Sequence, residues 1–139
     1  MWAVISDFAA YPEWNPFIRR ARGELRAGAK LEVRIEPPQA RATTFKPTVR
    51  SVEPNRELRW LGRLLVPGIF DGEHSLSIEP LDSNRSRFVQ SERFSGILVG
   101  LAKGTLQKTD TGFEQMNAAL KERVEQGARP AEQGADPTN

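Results

Sequence analysis

An α+β fold, in which a curved antiparallel sheet is covered by one long C-terminal helix, is predicted by two features of this 139-residue sequence. From about residue 30 to residue 94, apolar and polar residues alternate with a period of two between turn residues, and after Gly96 the period lengthens to about 3.6. Consecutive strands of this kind make an antiparallel sheet with one apolar face, and the helix is the element left to cover it.

The opening segment reads as a short helical start. Pro12 suits a first helical turn, and Asn15-Pro16 ends it because the residue before proline avoids the helical region. Trp14 and Phe17 then either plug the open end of the sheet or line a cavity mouth. A strand over Ile18 to Glu24 precedes Lys30 to Glu36, in which Leu31, Val33 and Ile35 share one face. Phe45, Val49 and Ser51 share a face between Thr43 and Glu53, where Pro47 implies a bulge or an edge. After the Pro54-Asn55 turn, Leu58, Trp60 and Gly62 alternate with Glu57, Arg59, Leu61 and Arg63 up to the break at Pro67-Gly68. Phe70, Gly72, His74, Leu76 and Ile78 form one face of the next strand. Asp82-Ser83-Asn84 closes that hairpin onto Arg85 to Phe94, whose inward set is Phe88, Gln90, Glu92 and Phe94.

The helix stripe runs through Leu98, Leu101, Thr105, Thr109, Gly112, Phe113, Met116 and Leu120. Thr105, Thr109 and Gly112 stand where leucine packs better, which suits a cavity wall more than a core plug. From Gly127 to Asn139 the chain is polar, Pro- and Gly-bearing and aperiodic, so one domain over residues 1–126 and a disordered tail over 127–139 are expected.

Composition removes several function classes. There is no cysteine, hence no disulfide framework, thiol nucleophile or Cys-ligated metal, and the one histidine is too few for a zinc site, so no metal and no cofactor are expected. The longest uncharged stretch, Phe94 to Ala102, is far short of the roughly 20 apolar residues that span a bilayer. The N-terminus lacks a basic region and carries Asp7 within its apolar run, which points to a cytoplasmic protein. Net charge is only +2, and the arginines of Ile18 to Glu36 and Arg41 to Arg63 alternate with apolar residues, as on the solvated outer face of a sheet. No aromatic residues that would stack bases interleave with them on that outer face, so no nucleic-acid partner is expected.

Three polar side chains, His74, Gln90 and Glu92, fall on the inward face beside Trp60, Phe88 and Phe94. Each would cost a few kcal/mol, on the order of 2 or more, if buried dry and unpaired. Either they satisfy one another in a closed core or they face a cavity that holds a ligand. The uncharged loop Leu64 to Phe70 is a candidate gate over such a cavity, or a membrane-touching tip, or a simple packing element.

Particular motifs carry a family likeness. Residues 2–17, with Trp2-Ala-Val-Ile-Ser-Asp-Phe, then Tyr11-Pro12 and Trp14-Asn15-Pro16, resemble the first helical segment of the SRPBCC (START-like, helix-grip) superfamily. Phe70-Asp-Gly-Glu-His74 and Phe88-Val-Gln-Ser-Glu-Arg-Phe-Ser-Gly96 resemble that superfamily's late strands and the junction into its long helix, especially in the polyketide cyclase/dehydrase-like branch. The resemblance covers about residues 1 to 125. It implies a helix-grip fold, a seven-stranded antiparallel sheet around the C-terminal helix, with a hydrophobic cavity for lipids, sterols, polyketides or other aromatics. It also implies a strand ahead of the first helix, which is missing here, so an exposed sheet edge and a homodimer paired through it are expected.

On this reading the leading function is binding or carriage of a small hydrophobic molecule. The candidate lining is Trp14, Phe17, Phe45, Trp60, Phe70 and Leu76 from the first helices and the strands, with Phe88 and Phe94, and with Leu101, Thr105 and Phe113 from the helix. His74, Gln90 and Glu92 orient the ligand. An alternative is a polyketide cyclase/dehydrase-type enzyme, in which His74 and Glu92 divide the base and donor roles of an aldol cyclisation. A second alternative is a cochaperone-like interaction module that uses the Arg-rich outer sheet.

Overall fold

The structure, a computed structural model, describes residues 1–64, 70–96 and 103–128. The chain begins with two short helices, α1 (Trp2–Ser6) and α2 (Tyr11–Trp14), joined by a turn of 3-10 helix at Phe8–Ala10. Seven strands follow, β1 (Ile18–Arg22), β2 (Glu32–Ile35), β3 (Thr43–Phe45), β4 (Thr48–Glu53), β5 (Glu57–Leu64), β6 (Phe70–Pro80) and β7 (Ser86–Ser95), and then the long helix α3 (Lys103–Ala128).

The strands form two antiparallel sheets, ordered β1-β2-β3 and β4-β5-β6-β7. The sequence predicts one bulged strand over Thr43 to Glu53; the chain instead breaks at Lys46-Pro47 into β3 and β4, which belong to different sheets. Proline lacks the N–H that a central strand would donate, but its carbonyl still accepts from Leu31 N at 2.9 Å. Backbone bonds from Val49 N–H to the Ala29 carbonyl and from Gly28 N–H to the Val49 carbonyl, with the Lys30–Thr48 bridge, carry the pairing past the break, so the two sheets continue into each other as a bent surface. The Lys30-Leu31 end of the predicted second strand is used in this junction, and regular pairing begins only at Glu32.

The stop at Asn15-Pro16 is tied down by its side chain. Asn15 is fully buried, and its Oδ1 accepts from the backbone N–H groups of Phe17 and Ile18 at 3.0 and 2.8 Å, which turns the chain out of α2 into β1. On the opposite side of the helices, the Tyr11 hydroxyl donates to the Ile5 carbonyl at 2.6 Å and so couples α1 to α2. Arg123 of α3 reaches Glu13 of α2 at 2.8 Å, an exposed ion pair of small energetic weight that still records how the helices meet.

The predicted stripe of α3 is the buried one: Thr109, Phe113, Met116 and Leu120 are all buried. Gly112 departs from the wall role read from sequence. A Cβ there would run into the ring of Phe17, so the glycine lets α3 lie directly on that ring. The helix extends through Gly127 and Ala128, beyond the expected start of the tail. Of the loop Leu64 to Phe70 read as a gate, Leu64 ends β5 and Phe70 begins β6, while 65–69, the stripe positions Leu98 and Leu101, and the tail from 129 lie outside the described residues.

Burial, and then the nearby Asp7 carboxylate, push the Tyr11 phenol far above its ordinary value near 10. The native state therefore keeps a proton that the unfolded chain loses. Stability from this group is complete below about pH 10 and falls as the pH rises above that value. Tyr11 is the only tyrosine, so absorbance of tyrosinate follows it without interference from another phenol. Tyr11→Phe is expected to cost about 1–2 kcal/mol at pH 7 and to flatten the alkaline fall in denaturant midpoint; an equal fall in both proteins would contradict the burial argument.

Candidate functional site

Register places the candidate residues in rows across three strands. Trp60 on β5 pairs with His74 on β6, which pairs with Glu92 on β7. Toward one end lies the row Leu58, Leu76 and Gln90; toward the other lies Gly62, Gly72 and Phe94. Alternation puts all nine side-chain positions on the same face. Leu58 and Leu76 are fully buried and close the core on their side. The two glycines have no side chain, and the space they leave is an opening between the sheet and α3.

That opening is a cavity of about 280 Å³. Its described lining contains seven residues expected from sequence: Phe17, Phe45, Trp60, His74, Glu92, Phe94 and Phe113. Ile18, Val33, Ile35 and Thr43 of the first sheet also line it, as do Thr109 and the two glycines. Val33, Ile35, Gly62 and Gly72 were legible as members of one strand face, whereas Ile18 and Thr43 were not, and the sequence did not say that the β1-β2-β3 sheet bends over the same space. The glycines carried the sharper signal: two inward glycines on successive strands leave an open floor.

The cavity does not reach four of the other expected residues. Leu76 and Gln90 belong to the closed row beneath it. Trp14 stacks edge-on against Tyr11 with ring centroids 5.2 Å apart, in the N-terminal helical layer. Phe88 pairs with Ile78 near the far end of β7 and packs against the core there. Leu101 and the side chains of Phe70 and Thr105 lie outside the described residues.

His74 and Glu92 of the middle row join Gln90 of the next row and Met116 of α3 in a connected polar chain. His74 is 3% exposed, its ring lies flat on Trp60 with centroids 4.9 Å apart, and the edge of Phe113 meets it at 5.1 Å. Its Nδ1 is 2.6 Å from Glu92 Oε2, and its Nε2 is 3.2 Å from the Gln90 amide nitrogen. The same amide nitrogen donates to the sulfur of Met116 on α3 at 3.4 Å. A thioether cannot donate, so the amide turns its NH2 group toward both Met116 and His74. Nε2 of His74 is thereby the acceptor, and the ring proton sits on Nδ1 and is donated to Glu92.

This arrangement divides the two roles read from sequence. Both ring nitrogens of His74 are occupied, one by Glu92 and one by Gln90. Glu92 accepts His74 through Oε2, while its Oε1 lies over Gly72, where an added Cβ would be only 2.6 Å away. Among the described residues Oε1 has no hydrogen-bond partner. The atom that the polar chain presents to the cavity is therefore a carboxylate oxygen, held in place by His74. Among the described residues no cluster of three or more His, Asp or Glu is placed to hold a metal ion.

A bent antiparallel surface gripping a long helix around such a cavity is the helix-grip fold, the class expected from the sequence. A family model described as polyketide cyclase / dehydrase and lipid transport matches residues 1–125. The chain belongs to this family, within the polyketide cyclase/dehydrase-like branch of the SRPBCC superfamily. A START superfamily protein from Mycobacterium smegmatis superposes with a TM-score of 0.66 at 24% identity, over 91% of this chain and 88% of that one. The di-domain ARO/CYC protein StfQ from the steffimycin biosynthetic pathway gives 0.58 at 12% identity; 89% of this chain covers 46% of that one. Protein NE0264 from Nitrosomonas europaea gives 0.57 at 17% identity, over 89% and 86% of the two chains. At these identities the likenesses concern the fold. No curated protein matches the sequence at a significant level.

His74 is the only histidine, so its ring nitrogens are directly readable by long-range ¹H–¹⁵N NMR. The protonated nitrogen is expected to be Nδ1 and the bare one Nε2, and Gln90→Leu is expected to weaken that preference. A proton on Nε2 in the wild type would contradict the chain of bonds described.

Proposed function

We propose that this protein binds and carries a small, largely apolar and planar molecule in the cavity between its sheet and α3. Membership of the family gives a ligand-binding or cyclase-type role. One observation favours binding within that range: the cavity is walled by aromatic and β-branched side chains over a two-glycine floor. A flat apolar guest can lie on Gly62 and Gly72 between the rings of Phe45 and Phe94, which stand 3.4 Å from where the glycines' Cβ atoms would be. The absence of cysteine fits a reducing, cytoplasmic setting. Among the described residues no helix is long and apolar enough to cross a membrane.

A cyclase reading draws on Glu92. Its Oε1 is placed to take a proton α to a ligand carbonyl, with His74 as the residue that positions it and not as the base itself. The interaction-module reading has less support, because Arg20, Arg34 and Arg59 on the outer face each pair with a neighbouring carboxylate. Among the described residues β7 pairs with β6 alone, and this edge supports a homodimer; a monodisperse monomer in light scattering would count against it.

Gly62→Leu tests the carrier reading. The position is extended, and a Cβ there would already touch the Phe45 ring at 3.4 Å, so the remaining carbons of a leucine must enter the cavity or push that ring into it. The neutral fluorophore prodan is expected to bind the wild type and to lose at least about tenfold in affinity in the variant, whose cooperative thermal unfolding shows that it remains folded. No binding to the wild type, or equal binding to both, would overturn the reading.

A further inference from the structure

We propose that the cavity selects aromatic ligands that carry a hydrogen-bond donor, such as a phenolic hydroxyl, directed at Glu92 Oε1, and that it rejects carboxylated ones. This inference rests on the cavity being a ligand site. It adds a polar group of defined direction to a lining that is otherwise apolar.

Hydrogen bonds run in one direction from Gln90 into the middle row. Gln90 donates to both Met116 and His74, and His74 donates to Glu92. Each group passes a donated bond toward the cavity, so the chain ends on an acceptor with unused capacity. Glu92 cannot turn its other oxygen away without breaking the 2.6 Å bond to His74, because Oε2 is held there. The missing side chain of Gly72 makes room for Oε1 itself, because a Cβ there would stand 2.6 Å from it.

Charge points the same way. The charged residues of the described lining are Glu92 and Arg63. Arg63 falls on the outward alternation of β5, and its Nε lies 3.8 Å from Asp71 Oδ1 across the β5–β6 pair. Glu92 is thus the charge that faces the guest. A donor on the ligand gives this carboxylate a partner inside a low-dielectric space, where such bonds are strong; a ligand carboxylate brings a second negative charge to it.

A substitution at Glu92 inverts the rule. In Glu92→Gln the amide oxygen must take the place of Oε2, because His74 Nδ1 still donates. The amide NH2 then faces the cavity and calls for an acceptor on the ligand. Shape and volume hardly change.

The test compares naphthalene, 2-naphthol and 2-naphthoate, one ring system with no polar group, a donor and an anion, by titration of tryptophan fluorescence and calorimetry at pH 7. The wild type is expected to bind 2-naphthol at least about tenfold tighter than naphthalene, and 2-naphthoate most weakly. Glu92→Gln is expected to lose the preference for 2-naphthol and to bind 2-naphthoate better than the wild type does. Gly72→Ala, which crowds Oε1, guards against misfolding of the first variant; it is expected to weaken naphthalene, since it also narrows the floor, and to remove the advantage of 2-naphthol over naphthalene. Equal affinities for the three compounds in the wild type, or an unchanged order in both variants, would overturn the inference and leave the cavity reading intact. Failure of all three to bind would overturn both.

Discussion

The 2.6 Å contact between His74 and Glu92 is the constraint around which the rest of the inner face is arranged. A carboxylate beneath a helix, among aromatic rings, has to be paired, and removing its partner costs several kcal/mol, about 3–5 for a buried pair. His74 in turn needs an acceptor for Nδ1 and a donor for Nε2. The first lies directly across the β6–β7 pair and the second one row away, so strand register alone brings the three residues together. Met116 closes the far end, which ties the rotational setting of α3 to the sheet through one amide. Trp60 and Phe113 then sandwich the imidazole from the sheet and from the helix.

The cavity and the polar chain share one boundary. Below the His74 row, Leu58 and Leu76 fill the space between sheet and helix, and the interior is closed. Above it, two glycines withdraw their side chains and the first sheet bends across. The kink at Lys46-Pro47 makes that bend, and Gly112 with Phe17 sets how near the helix can come. The same residues that stabilise the fold therefore fix the depth of the cavity and the direction of its one inward charge.

Much of this was legible in the sequence because it depends on periodicity. Alternation by two identified Trp60, His74, Gln90, Glu92 and Phe94 as inward neighbours, and the helical stripe identified Thr109, Phe113 and Met116. The motif around Asn15-Pro16 located the exit from the first helices, which the Asn15 side chain enforces. What escaped was information about pairs distant in sequence. Whether the three polar residues bond to one another or face a cavity was posed as a choice; the structure does both, because Glu92 has two oxygens and uses only one. Pro47 announced an irregularity but not that it divides two sheets. The closure of the cavity by Val33, Ile35 and Thr43 follows from that division, and no local pattern shows it.

The central claim is that a small apolar molecule occupies the space between the glycine floor and α3. The most direct measurement is an isotope-filtered NOE experiment on labelled protein with unlabelled naphthalene, which reports which protein protons lie beside the guest. The account predicts NOEs to the rings of Phe45, Trp60, Phe94 and Phe113, and none to the outward residues of β5 and β6. NOEs confined to the outer face, or their absence at saturating naphthalene, would contradict it.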